Sequence, residues 1–266
     1  MAPFLLPWEN PLNALRVLAT LIIFGYSCLT DWKTRRAPNE LWYVMGGIGL
    51  ALAAYELWQY DFSVVYLARL VIGAVFIYAL VYVIFRVGGF GGADAKALIA
   101  TALMFPLYPV LNVQGTFLPL AYNVMSPIFA LTVLGNAVVL TIVVPLGVLA
   151  YNLLTVPPGE VLSNPLGAVT GYKAGIGRIK GRHLRLMHRY EVEDGKLVRR
   201  MAFRGSEPDD KLLGQMEKWM DEGLLEARVW VTPKLPFLIP ITIGFVTAVI
   251  YGDILMQVVA LFAGVR

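Results

Sequence analysis

The sequence predicts an all-α polytopic membrane protein: six transmembrane helices, with a small α+β cytoplasmic domain between spans 5 and 6. Three observations predict it. Hydrophobic residues make up 58% of the 266-residue chain and charged residues only 15%. A soluble domain carries about 45–50% and about 25%. The charges are also unevenly placed: 14 of the 22 Lys/Arg and 11 of the 18 Asp/Glu fall in residues 154–234. The rest of the chain has too few to clothe a water-exposed surface. Finally, six apolar stretches approach the roughly 20 residues a helix needs to cross a hydrocarbon core about 30 Å thick.

These stretches cover residues 12–29, 40–58, 63–85, 95–112, 126–153 and 236–263. Helix is the expected element in each, because lipid offers unpaired backbone groups no partner. Pro145 interrupts the fifth stretch, Pro233 and Pro236 precede the sixth, and Pro106 and Pro109 fall near the end of the fourth. Proline removes a helical hydrogen bond, so these are the expected kinks. The domains follow: 1–153 for spans 1–5, 154–234 for the insert, and 235–266 for span 6.

Loop charge sets the orientation. Loop 30–39 carries Lys33, Arg35 and Arg36, loop 86–94 carries Arg86, and the insert is rich in basic residues. Loops 59–62 and 113–125 carry no Lys or Arg. The positive-inside rule then places the odd loops in the cytoplasm and both termini outside a cell membrane. The N-terminus lacks a basic n-region, so no cleaved signal peptide is expected. Arg16 and Arg69 fall near the outer ends of spans, where snorkelling is expected.

Composition excludes an ordinary soluble enzyme, a secreted disulfide scaffold and a disordered chain. The single cysteine, Cys28, excludes an intrachain disulfide and a Cys-based zinc site. The net charge of +4 is explained by cytoplasmic Lys/Arg, so membrane lipid is an expected partner and nucleic acid is not. His183 and His188 are five apart, which suits neither a helical nor a same-face strand pair. No metal and no cofactor are expected.

The insert reads as a hairpin, a helix and a further strand. Arg189–Glu193 and Lys196–Phe203 flank Asp194-Gly195, a strong turn signal because type I′ turns need positive φ. Ser206 is the expected cap of a helix from Pro208 to Glu222, with Gly223 as its stop. Leu212, Leu213, Met216, Trp219 and Met220 form its apolar stripe. Glu226–Thr232 alternates like a strand. Lys173–Arg204 holds ten Lys/Arg and is expected near anionic headgroups.

Two aspartates stand out. Asp31 ends span 1, and Asp94 opens span 4 after Gly88-Gly89-Phe90-Gly91-Gly92-Ala93. Two spans separate them, so the chain has returned to the same membrane face. Two carboxylates about 3 Å apart share one proton. The ionised member can take a proton from water while the protonated one polarises a peptide carbonyl. Gly91 and Gly92 would let an extended peptide approach the backbone. Residue chemistry alone leaves structural roles open: Asp31 as a partner of Lys33 or Arg35, and Asp94 as a helix cap or a partner of Lys96.

The segments around Asp31 and Asp94 resemble the type IV prepilin peptidase family of membrane aspartic proteases, and most closely its archaeal preflagellin peptidases. In that family the first aspartate ends span 1 and is followed by basic residues and Pro-Asn, as Asp31 is by Lys33, Arg35, Pro38 and Asn39. The second aspartate closes a Gly-x-Gly-Asp motif; here Gly91 fills the first position and Ala93 replaces the second glycine. Lys96 matches the family's lysine two residues on. Val229–Pro233, with Pro236, Phe237 and Pro240, resembles the family's approach to its last span.

The resemblance implies an endopeptidase with Asp31 and Asp94 catalytic, and Gly91, Gly92 and Lys96 at the substrate. The partner would be a preflagellin or pilin-like precursor, losing a short basic leader. An acidic helix face (Asp209, Asp210, Glu217, Asp221 and Glu222) would receive that leader. The family's bifunctional bacterial members carry an N-terminal domain with paired Cys-x-x-Cys, so no methyltransferase activity is expected here. Two rivals stand beside this reading. A presenilin-type protease would want a Tyr-Asp pair and a Pro-Ala-Leu motif; Tyr26 is five residues before Asp31 and the motif is absent. A proton-coupled transporter would want acids nearer mid-span.

Overall fold

The computed structural model describes residues 8–264 apart from 60, 90, 122–125, 181, 183, 194–195 and 234–236. In chain order the elements begin with β1 (Trp8–Glu9), α1 (Pro11–Thr34), α2 (Asn39–Gln59), α3 (Val64–Arg86) and α4 (Gly92–Met104). Then come β2 (Pro109–Val113), β3 (Thr116–Leu118), α5 (Phe129–Thr141), α6 (Val143–Thr155), α7 (Pro158–Ser163) and α8 (Pro165–Thr170). The remainder is β4 (Tyr172–Gly175), β5 (Leu184–Glu193), β6 (Lys196–Ser206), α9 (Asp210–Asp221), β7 (Arg228–Pro233), α10 (Leu238–Ile250) and α11 (Ile254–Phe262). Two compact units result: residues 1–141 with 236–266, and residues 142–235.

The chain is mostly helical, as expected. Four stretches are long and apolar enough to cross a membrane: Pro11–Thr34, Asn39–Gln59, Val64–Arg86 and Phe129–Thr155. The last is interrupted at Ile142. Pro145, three residues on, has no N–H to donate to the Thr141 carbonyl.

Two expectations fail in detail. The helix expected over 95–112 stops at Met104. Pro106 and Pro109 cannot continue it, and the chain turns into β2, which pairs in parallel with β1 and antiparallel with β3. The first unit is therefore not purely helical. The helix expected over 236–263 is two helices, broken at Gly252 and Asp253. The break is built into the fold. Asp253 is buried and caps α11 through the Met256 N–H at 2.9 Å. It also accepts from the Thr132 hydroxyl at 2.7 Å and the Ser126 N–H at 3.1 Å. Asn136 of α5 donates to the Gly252 carbonyl and accepts from the Ile254 N–H.

The core of the first unit centres on α4, α5 and α10. Phe105, Phe129 and Phe245 meet with ring centroids 4.8–5.7 Å apart, and Phe24 of α1 joins them at 5.5 Å from Phe245. Such aromatic pairs add about 0.5–1.5 kcal/mol beyond their burial. Close helix contact depends on two glycines. A Cβ on Gly49 would sit 2.6 Å from the Met104 backbone, and one on Gly244 2.6 Å from the Val133 carbonyl.

Arg16 does not snorkel. It is 3% exposed and forms a fork with Glu56, itself 2% exposed, at 2.6 and 2.7 Å. Tyr66 and Asn10 also donate to Glu56. One carboxylate thus ties α1, α2 and the start of α3 together.

In the second unit the sheet order is β4-β7-β5-β6, antiparallel throughout. The expected hairpin forms as β5 and β6; its Asp194-Gly195 turn lies outside the described residues. Strand β4 was not foreseen. Asp209, not Ser206, caps α9, accepting from the Leu212 N–H at 2.7 Å. Gly223, at φ 72°, ends it as expected, with the Leu224 N–H returning to the Trp219 carbonyl at 2.8 Å. Leu213 and Met216 are buried against the sheet and Leu212, Trp219 and Met220 pack beside them. On a second small core, Val161 and Ala168 of α7 and α8 pack with Met187 and Trp230. Lys173 of β4 pairs with Glu160 and, at 2.8 Å, with Glu226.

Glu56→Gln should lower the thermal-unfolding midpoint of the detergent-solubilised protein strongly. Breaking a buried pair from one side costs about 3–5 kcal/mol. The Arg16→Met/Glu56→Met double variant should recover most of the loss. Lys173→Met should destabilise the protein in a pH-dependent way. The hydrogen bond from Lys173 holds Glu226 below its ordinary value of 4.5. A depressed carboxylate stabilises above its unfolded value and loses that contribution as pH falls. The difference in midpoint between wild type and Lys173→Met should therefore be full near pH 7. It should shrink as pH falls below the ordinary glutamate value of 4.5.

Candidate functional site

Asp31 lies in the last turn of α1. The helix ends where Arg35 adopts the left-handed conformation, φ 56°, and returns its N–H to the Asp31 carbonyl at 2.9 Å. Pro38 then forbids an early restart, since the residue before a proline is pushed out of the helical region. This places Asp31 at a helix end with its side chain half-buried.

Asp94 lies in the first turn of α4. It is 8% exposed and accepts a hydrogen bond from the Gly91 N–H at 2.9 Å. Its structural reading is thus partly realised: the carboxylate folds back and closes the helix N-terminus. A carboxylate there also faces the positive end of the helix dipole.

Gly91 has a local reason to be glycine. A Cβ on it would lie 2.9 Å from Oδ2 of Asp94, so the missing side chain makes room for that carboxylate. Gly92 has no such constraint; its nearest neighbour would be the Phe85 ring at 3.9 Å. Lys96 meets neither aspartate closely enough to form an ion pair among the described residues. Its Nζ donates to Oδ1 of Asn39 at 2.6 Å. That bond ties the first residue of α2 to the first turn of α4. It joins the two sequence segments that carry Asp31 and Asp94.

The two carboxylates do not share a hydrogen bond among the described residues; Asp31 is near enough for its charge to reach Asp94. Asp94, Gly91, Lys96 and Asn39 gather where α2 and α4 begin, and Asp31 stands in the last turn of α1. Sequence reasoning missed the bond of Asn39 to Lys96, while Arg35 was among the partners it offered for Asp31. The charge of Arg35 acts on Asp31, and its Nε and one Nη are buried without a partner among the described residues. Spacing gave a signal for Arg35, which is one helical turn after Asp31. It gave none for Asn39, 57 residues before Lys96. Among the described residues no group of three or more His, Cys, Asp or Glu could hold a metal.

What this arrangement can do chemically is proton transfer between two carboxylates and a water or peptide held between them. Comparison with known proteins bears on the chain as a whole. The type IV leader peptidase family matches residues 18–146, which include both aspartates. The archaeal peptidase A24 C-terminus, type II, matches residues 163–254. A preflagellin peptidase of Methanococcus voltae is 29% identical over 87% of this chain and 92% of its own length. The preflagellin peptidase of Methanocaldococcus jannaschii is 25% identical over 88% of this chain and 92% of its own. A prepilin peptidase, EppA, of Methanothermobacter thermautotrophicus is 31% identical over 48% of this chain and 33% of its own.

Gly91→Ala should destabilise the protein by roughly 1–3 kcal/mol, the usual range for overpacking, because the new methyl group meets Asp94. Gly92→Ala should be neutral or slightly stabilising, since it adds a helix former at an open position. Unfolding of the two variants side by side in detergent checks this.

Proposed function

The chain belongs to the type IV leader peptidase family, and on that premise we propose that it is a membrane aspartic endopeptidase. It removes the short basic leader from preflagellin or type IV pilin-like precursors. What supports this reading is the match of the leader peptidase family over residues 18–146, which hold Asp31 in the last turn of α1 and Asp94 in the first turn of α4. The Lys96–Asn39 hydrogen bond braces their segments.

The chemistry follows from two carboxylates holding one proton. The ionised carboxylate takes a proton from water as the water oxygen attacks the scissile carbonyl carbon. The protonated one gives its proton to the carbonyl oxygen. The C–N bond then breaks as a proton passes to the amine nitrogen, leaving a new acid and a new amine. Water and peptide supply every atom. Gly91 gives its room to the Asp94 carboxylate, Gly92 leaves the substrate backbone space beside it, and Lys96 keeps α2 against α4 at the entrance.

Six crossings suit this chain. The four long apolar stretches are joined by α4 with its continuation through residue 113, and by α10 with α11. Interrupted helices are tolerated at membrane depth where protein groups satisfy the freed backbone. Here Asn136, Asp253 and the Tyr108 hydroxyl, which donates to the Ala248 carbonyl, do so. Both termini then face outward, and the insert and the dyad face the cytoplasm, where a basic leader remains. Cys28 is the single cysteine of these 266 residues, so they do not form the paired-cysteine motif of the methylating members, and the activity proposed for them is that of a peptidase.

Cleavage of a preflagellin substrate by the purified protein tests the dyad. Asp31→Asn and Asp94→Asn keep size and lose the proton, and each should lower kcat/KM by about 10²–10⁴-fold. Asp61→Asn is the control. Asp61 is exposed at φ 49°, a conformation that asparagine adopts as readily. Normal cleavage by either dyad variant would overturn the mechanism.

A further inference from the structure

The second unit carries a cleft that peptide cleavage does not use. Two cavities of about 320 and about 400 Å³ share His188, Arg199, Glu226 and Trp230. The first takes in Arg228 and Tyr190. The second reaches Lys173, Glu160, Ser163 and Asn164.

The charges in this cleft are not balanced. Lys173 is engaged by both acids, Glu160 and Glu226. Arg199 and Arg228 are exposed and make no ion pair among the described residues. With His188 neutral, three cations face two carboxylates. Burial, and then the charge of Arg199, hold His188 below its ordinary value, so the imidazole registers a positive surrounding. An anion placed between the two arginines would meet planar forks suited to two oxygens at once.

An apolar surface lies beside the cleft. Helices α6, α7 and α8 pack on one another, and they expose Leu154 (87%), Leu162 (80%) and Leu166 (61%). Leu162 adjoins Ser163, which lines the cleft. Leucines exposed to this degree in neighbouring helices mark a surface that meets something apolar. A charged cleft next to such a surface suits a ligand with an anionic head and an apolar body.

We propose that this cleft holds a phosphate group between Arg199 and Arg228, borne by an anionic lipid whose chains lie over Leu162 and Leu166. The basic residues of the insert therefore include a defined headgroup site, and not only a diffuse attraction to the membrane surface.

Native mass spectrometry of the full chain in detergent tests this, with phosphatidylglycerol and phosphatidylcholine as probes and inorganic phosphate in a parallel thermal-protection assay. The wild type should retain phosphatidylglycerol and far less phosphatidylcholine. Arg199→Gln/Arg228→Gln should retain at least five-fold less phosphatidylglycerol. The control is Arg182→Gln/Arg189→Gln, which removes two exposed charges of the same unit outside the cleft. It should stay within two-fold of the wild type. Both double variants must elute and unfold as the wild type does; otherwise Arg199→Lys/Arg228→Lys, which keeps the charge and loses the fork, takes the test and should again fall below the control. Thermal protection by phosphate that is lost with the two cleft arginines, without lipid retention, keeps the phosphate site and overturns its lipid source. Equal loss in the control, or lipid retention that ignores Arg199 and Arg228, overturns the site.

Discussion

A polar group in apolar surroundings must find its partner inside the protein, and most of this structure can be traced to that constraint. It makes α1, α2 and α3 long uninterrupted helices, since only a helix satisfies its own backbone. It also explains how the other apolar segments depart from helix. Where α10 gives way to α11, the freed groups are met by Asn136, Thr132 and Asp253, all supplied by the same unit. Where α4 ends, strands β2 and β3 take over the backbone bonding. The Arg16–Glu56 fork obeys the same rule for charge: neither ion could remain buried without the other.

The candidate site uses the constraint differently. Asp94 is buried with a single backbone donor from Gly91 among the described residues, and a second carboxylate acts on it. Asp31 is half-buried and under the influence of Arg35. Two acids in unequal settings suit the proposed shared-proton chemistry, in which one gives as the other takes. The fold keeps them at one end by bracing their segments through Lys96 and Asn39. Similarity to leader and preflagellin peptidases is what ties this proposed site to leader-peptide removal.

Much of this was legible in the sequence. The long apolar runs, the stripe of α9 and its stop at Gly223 follow from local rules that need only a few neighbouring residues. Asp31 and Asp94 could be singled out because an even number of crossings separates them. Other features were not legible, for one physical reason: they are contacts between residues far apart in the chain. Arg16 looked like a snorkelling residue because its partner is 40 positions away. Lys96 looked like a partner of Asp94 or a substrate lysine because nothing near it announces Asn39. Gly91 looked like room for substrate, while its own neighbour Asp94 fills that room first.

By itself the sequence determined which segments are apolar enough for a membrane and where the charged insert lies. Composition and periodicity are properties of short windows, and burial follows them wherever hydrophobic free energy dominates. The tertiary structure decided which polar groups pair, where α4 and α10 stop, and what surrounds each aspartate. Those outcomes depend on distances of a few ångströms between elements, and a hydrogen bond or ion pair is won or lost on that scale.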